Sequence, residues 1–225
     1  MTNLATDITP KTRYKKSIKK PNNKMLKEGK ANKKLGWKIT RRMWKGMPIH
    51  SLTLEERETC TPNCLEYKNC YGNNMPFAHR FDHTAPDFYK KLLGQIKELA
   101  NKYPAGFVLR LHVLGDFFSP AYVAFWHKAL LRFPQLNIFG YTHHLHSTNI
   151  GRKLNQLNGY YPTRMRIRYS GDPHVSFSAR VVKKDEDPNL KNGETICPEQ
   201  TGKLKHCAEC AYCWTSKHGV VFLEH

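Results

Sequence analysis

No stretch of the 225 residues approaches the roughly eighteen consecutive apolar residues that a bilayer-spanning helix needs. The N-terminus also lacks the apolar core of a secretory signal. The chain is therefore expected to be cytoplasmic, with no membrane partner. No internal repeat is present, and Gly115, Gly171 and Gly202 lie in turns without forming a phosphate-binding glycine fingerprint. Acidic residues are few, with 18 Asp/Glu against 37 Lys/Arg, which leaves a net charge of +19. Cysteine is odd in number at seven, and Cys207, Cys210 and Cys213 stand too close together for a tidy disulfide framework. In a reducing compartment metal binding explains them better, with a secreted disulfide protein as the weaker alternative.

The charge is unevenly placed. Residues 1–46 hold 15 Lys/Arg against Asp7 and Glu28, a net +13. A segment this basic, with few apolar anchors before Leu35 and Trp37, is expected to be a flexible tail that cannot fold alone. Its charge suits the phosphate backbone of a nucleic acid, and the plainer reading is a solubilising tail.

From Pro48 onward β-like runs alternate with helical ones. Pro48–Leu54, Phe107–Leu114, Leu136–Thr142, Met165–Ser170, Val175–Val182 and Val220–Leu223 read as strands. Phe88, Leu92, Leu93, Ile96, Leu99 and Ala100 recur at helical spacing, and Ser119–Pro120 is a cap followed by proline at the first helical position. A third helix is expected over Asn149–Leu157. The order predicts an α/β fold with a mainly parallel sheet. With about 180 residues available, an incomplete (β/α) barrel is expected, because a full barrel typically takes about 250. Residues 47–182 would form this domain, and residues 183–225 a cysteine-rich C-terminal segment packed on it.

The cysteines fall into two sets. Cys60, Cys64 and Cys70 offer three thiolates, which leaves one position of a metal centre open to a ligand. Cys197 followed by proline, then Cys207, Cys210 and Cys213, supplies four ligands with the two-residue spacers of bacterial ferredoxins. Iron–sulfur clusters of the 4Fe–4S type, two if both sets are used, are the leading expectation. Zinc is the alternative, with His206, His218 or His225 replacing a thiolate. Buried structural cysteines are the bland reading of the first set, and one mixed site drawing on both sets is a further arrangement.

Ligands of parallel α/β sheets bind at the carboxyl ends of strands. There the sequence places His112, Asp116, Tyr141 and His143 as acid–base or contact residues, and Gly115, Thr142 and Ser170 as pocket residues. Ordinary packing is the competing role for each, and helix capping for Asp116. Arg164, Arg166 and Arg168 alternate along one strand, so their guanidinium groups share one face. Arg166 at its centre would bind phosphate or carboxylate if that face lines a groove. His143, His144 and His146 suggest metal binding by composition alone, and a solvated loop is the simpler account.

The segments LTLEERETC, CYGNNMPFAHR, RLHVLGDFFSPAYVAFWHKAL, FGYT and CPEQTGK followed by CAECAYCW resemble the phage and bacterial gene product 88 family over most of residues 35–225. That resemblance implies kinship and no activity. A looser similarity is to radical S-adenosylmethionine enzymes, which hold a cluster on three cysteines after the first strand of a partial or full barrel. It implies S-adenosylmethionine as a small-molecule cofactor and an auxiliary cluster on Cys197, Cys207, Cys210 and Cys213. Those enzymes usually space the trio C-x3-C-x2-C, whereas the second gap here is five residues. The expected function is an iron–sulfur enzyme with radical or redox chemistry, acting on a nucleic acid or nucleotide. A zinc-stabilised nucleic-acid-binding protein without catalysis is the alternative, and a divalent-metal hydrolase around His112 and Asp116 a third.

Overall fold

The computed structural model describes residues 12–64, 66–191 and 193–224. In chain order the elements are β1 (Ile18–Lys19), β2 (Lys27–Glu28), β3 (Ile49–Ser51), β4 (Arg80–Phe81), α1 (Phe88–Lys102), β5 (Phe107–Leu111), α2 (Pro120–Arg132), β6 (Leu136–Thr142), α3 (Asn149–Tyr160), β7 (Met165–Tyr169), β8 (Ala179–Val182), β9 (Thr195–Ile196), α4 (Cys207–Cys210), α5 (Tyr212–Thr215) and β10 (Val220–Leu223). The main sheet has the order β2-β3-β5-β6-β7, parallel except for the edge pair β2 and β3. A second sheet, β8-β10-β9, is all parallel, and β1 pairs with β4. The two larger sheets meet through a single bridge, Ser170 to Ala179. The fold is thus α/β and mostly parallel, as the strand–helix alternation predicts, and among the described residues no barrel closes.

The three long helices form where they are expected, α1 from its apolar spacing, α2 from the Ser119–Pro120 start and α3 over Asn149–Leu157 and three residues beyond. α1 buries Phe88, Leu92, Gln95, Ile96 and Ala100, one stripe of the helix. Ser119 caps α2 by accepting from the Tyr122 N–H at 3.1 Å, with Pro120 at the first position. Thr148 caps α3 in the same way through Gly151. All three cover one face of the main sheet, where Phe107, Leu109, Leu111, Ile138 and Ile167 meet Trp126, Leu130 and Leu154. Strands β5 and β6 approach closely at Gly140, where a Cβ would fall 1.6 Å from the Leu111 carbonyl oxygen.

The opposite sheet face is covered by the chain's two ends. Leu35, Ile39 and Trp44 pack with Ile49, Val108 and Phe139 against Ala208, Ala211 and Trp214 of the cysteine-rich segment. This corrects the expectation of a free tail over 1–46. Residues 1–11 lie outside the described residues, but Met25 and Leu26 join the helix-side core and Lys27–Glu28 adds a strand to the sheet. The anchors are single apolar residues spaced between lysines, a pattern without period. Among the described residues no helix is long and apolar enough to cross a membrane.

Candidate metal centres

Beyond β3 the chain reaches Leu54, which bridges Phe81, and enters the loop carrying the first cysteines. A buried ion pair fixes that loop. Arg80 is 0% exposed in its side chain and Glu56 1%. The guanidinium donates to Glu56 Oε2 at 2.6 Å and Oε1 at 2.9 Å, and also to Ser17 Oγ and the carbonyls of Gly72, Met75 and Ala78. Thr12 Oγ1 donates to Glu56 at 2.7 Å. Burial works to raise the Glu56 carboxyl, but the hydrogen bonds from Arg80 and Thr12 outweigh it and hold it below its ordinary value. The pair ties both ends of the Cys60–Cys70 loop to β4 and to the N-terminal segment.

Within that loop the three thiols are neighbours. Burial pushes Cys60 up, and the charges of Asp116, Cys64 and Cys70 add to it. Burial likewise pushes Cys64 up to about 12, with Cys70 and Asp116 contributing. Cys70 rises for the same first reason, opposed by the Gly72 backbone N–H. Asp116 joins three loops at the carboxyl edge of the sheet. Its N–H donates to Thr59 Oγ1 at 3.2 Å, its Oδ1 accepts from the Phe117 N–H at 2.7 Å, and its Oδ2 accepts from the His143 N–H at 2.8 Å. Gly115 makes that meeting possible: its φ is +88°, and a Cβ would lie 2.5 Å from Thr59 Oγ1 and 2.8 Å from Leu54 Cβ. Tyr71 closes the loop by donating its hydroxyl to the Val113 carbonyl.

The second set lines one pocket. Cys197, Cys207, Cys210 and Cys213 line one small pocket of about 10 Å3, walled by Pro198, Tyr212 and Trp214. Ala211, in the left-handed conformation at φ +55°, turns the chain between α4 and α5 so that the three closely spaced cysteines reach the same pocket. Burial raises Cys197, Cys207 and Cys210, and the Cys213 charge adds to each. Backbone N–H groups of Gln200 and Tyr212 approach the sulfurs of Cys197 and Cys210. Lys34, Arg42 and Arg110 bring positive charge to the set. The N-terminal segment is bonded to it directly, Lys34 and Leu35 carbonyls accepting from the N–H groups of Cys207 and Ala208 at 2.8 and 2.9 Å. Neither His206, whose ring lies against Gly36, nor His218, which lies against Gly193, lines the pocket. His225 lies outside the described residues. Among the described residues no three His, Cys, Asp or Glu side chains close to the spacing of a single bound ion.

The remaining sequence candidates divide. Cys60, Cys64, Asp116, Gly115 and His143 come together at the strand ends, and burial lowers the His143 ring against the opposing charge of Asp116. His112 turns away into an aromatic core, its Nε2 2.9 Å from the Tyr122 hydroxyl and its ring against Phe117. Burial lowers its pKa to about 3. Thr142 is fully buried, its hydroxyl accepting from the His144 N–H at 3.1 Å. The Ser170 N–H donates to the Thr142 carbonyl at 2.7 Å. Tyr141 packs in the cluster that holds Cys197 and Cys213, raised by burial and then by Cys213, with the Arg110 guanidinium 4.6 Å above its ring.

Arg166 lies on β7, 5.4 Å from the Phe177 ring centroid, with its Nε buried and unpartnered among the described residues. Its two neighbours are spent on structure. Arg164 donates to the carbonyls of Leu130, Phe133 and Leu136. Arg168 donates to those of Cys213, Ser216, His218 and Phe177, tying the cysteine-rich segment to β7. Sequence reasoning missed Arg110, Glu56, Arg80 and the carbonyl cage of Arg168. Only the position of Glu56 and Arg80 inside the distinctive cysteine-flanking segments pointed to the pair.

The family model of gene product 88 matches residues 16–216. The chain belongs to the gene product 88 family. No curated protein and no solved structure matches it. The match takes in all seven cysteines and, in the N-terminal segment, the Lys34 and Arg42 that face the second set, so both candidate centres and the cations around them lie inside the family region.

Proposed function

We propose that this gene product 88 protein is an iron–sulfur enzyme. Cys60, Cys64 and Cys70 would hold a substrate-facing cluster, and Cys197, Cys207, Cys210 and Cys213 a second one beneath the sheet. The observation that carries the reading is the pocket lined by all four C-terminal cysteines, with no histidine among its walls. The walls without histidine favour an all-thiolate centre, and the two-residue spacers of Cys207, Cys210 and Cys213 favour iron–sulfur over zinc.

When bound, such clusters supply one-electron chemistry. The chain's own residues would do the rest. Tyr212, Trp214 and Val220 exclude water from the four-cysteine pocket. Asp116 holds the loops after β3, β5 and β6 together beside Cys60 and Cys64, leaving those thiols at the carboxyl edge where a substrate would enter. Arg110, its guanidinium over Phe139 and Tyr141, brings charge that reaches both Cys207 and Tyr71, and its buried Nε has no hydrogen-bond partner among the described residues. It is placed to compensate negative charge passing between the two sites.

Anaerobic purification of the full chain, with iron, sulfide and zinc analysis, tests the reading. A brown protein with acid-labile sulfide is expected, and a colourless protein carrying only zinc ends it. Adding S-adenosylmethionine to the reduced protein tests the narrower form, in which that cofactor fills the free position beside Cys60, Cys64 and Cys70. Release of deoxyadenosine would support it, and no binding or cleavage would restrict the enzyme to other redox chemistry.

A further inference from the structure

The N-terminal segment lies on the domain, and its charge is therefore placed on a defined surface. Met25 and Leu26 plug into the helix-side core, while Gln95 of α1 accepts from the Leu26 N–H at 3.0 Å and donates to the Asn22 carbonyl at 2.6 Å. These contacts set the 21–27 loop beside α1 and form a cleft of about 460 Å3, lined by Asn22, Lys24, Lys27, His79 and Lys91 and by no acidic residue. Among the described residues none of the three lysines has an ion-pair partner, unlike Lys30, which is paired with Glu28. Two residues before His79 on the chain, Phe77 is 92% exposed, the most exposed large apolar side chain among the described residues. A cationic cleft, with an exposed aromatic on the same chain segment as one of its lining residues, is the chemistry that holds single-stranded nucleic acid. Lysines follow the phosphates, and an open ring stacks on a base whose faces a duplex would hide.

We infer that this cleft is a binding site for single-stranded nucleic acid, with Lys24, Lys27 and Lys91 contacting the backbone and Phe77 stacking on a base. The site does not rest on the cysteine chemistry, and it replaces a free tail with a formed groove as the place where the basic segment meets its partner.

Fluorescence anisotropy of the full chain with labelled single-stranded DNA and RNA, and with a duplex of equal length, tests it. Single strands of at least one kind should bind more tightly than the duplex, and affinity should fall steeply with salt. The triple variant K24E/K27E/K91E should weaken binding at least tenfold and make the log–log salt slope shallower by about two, from about 0.7 per phosphate contact. Phe77→Ala should weaken it at least about fivefold. A control with the same charge change on the other end of the chain, K184E/K203E/K217E, should lose far less. Circular dichroism melts establish that each variant is folded. Equal or tighter duplex binding, absence of salt-dependent binding, or equal losses in the control and groove variants would overturn the assignment. So would retention of affinity in Phe77→Ala.

Discussion

Replacing Glu56 by alanine should remove about 3–5 kcal/mol of folding stability, the cost of stranding one partner of a buried ion pair. The structure puts this change at the upper end of that range. Arg80 is 0% exposed, its two bonds to Glu56 are 2.6 and 2.9 Å, and among the described residues no other carboxylate accepts from its guanidinium. The carbonyls of Gly72, Met75 and Ala78 satisfy its protons without neutralising its charge. At about 2–4 °C per kcal/mol for a chain of this size, the melting midpoint should fall by roughly 6–20 °C. The pair also predicts a pH dependence. Because the folded Glu56 titrates below its ordinary value of 4.5, its contribution is complete above that pH and is lost as the pH falls through the lower folded value. Thermal and urea denaturation by circular dichroism, at neutral pH and in steps down to pH 3, would measure both effects. The double variant E56M/R80M should lose less than either single variant, since it buries no lone charge. A loss below about 1 kcal/mol in Glu56→Ala, or a double variant worse than both singles, would refute the argument.

Other consequences are as direct. Gly115→Ala should destabilise by about 1–3 kcal/mol, since its φ is +88° and the new Cβ meets Thr59 and Leu54; chemical denaturation checks this, and a neutral result would contradict the loop packing. Arg168→Met leaves four carbonyls without their donor and should loosen residues 197–218, read as faster amide exchange there while α1 and α2 stay protected. His112 stays neutral in the fold down to about pH 3 but takes a proton near 6.5 when unfolded, so its part in stability is lost as pH falls from about 6.5 towards 3. His112→Gln should flatten the stability profile in that window, and an unchanged slope would argue against a buried neutral ring.

Local chemistry was the legible part of the sequence. Ser119–Pro120 marks a helix start because the cap and the fixed proline φ act within a few residues, and the α1 stripe is visible because one face repeats every three to four residues. The grouping of the cysteines was also visible, since each set is nearly contiguous. What escaped was the work of single residues acting over long sequence separation. Met25, Leu35, Ile39 and Trp44 anchor a lysine-rich segment with no periodic signal, so the segment looked like a tail. Glu56 and Arg80 are 24 residues apart, and beyond their place in the cysteine-flanking segments nothing in the sequence announces the pairing. Strand alternation predicted Arg164, Arg166 and Arg168 on one face, but Arg164 precedes β7 and reaches the carbonyls at the end of α2, while Arg168 is consumed by carbonyls of the cysteine-rich segment across the sheet. His112 sits at a strand end, as a catalytic residue would, yet the next turn carries Phe117 and Tyr122 over its ring.

The iron-to-chain ratio of anaerobically purified protein, compared with that of the triple variant C60A/C64A/C70A, bears most directly on the claim of two separate cysteine-held centres. Two four-iron clusters predict about eight iron atoms per chain in the parent and about half of that in the variant, with sulfide falling in proportion. Complete loss of iron from a folded variant would mean one shared site, and an unchanged ratio would mean that the early cysteines hold no metal.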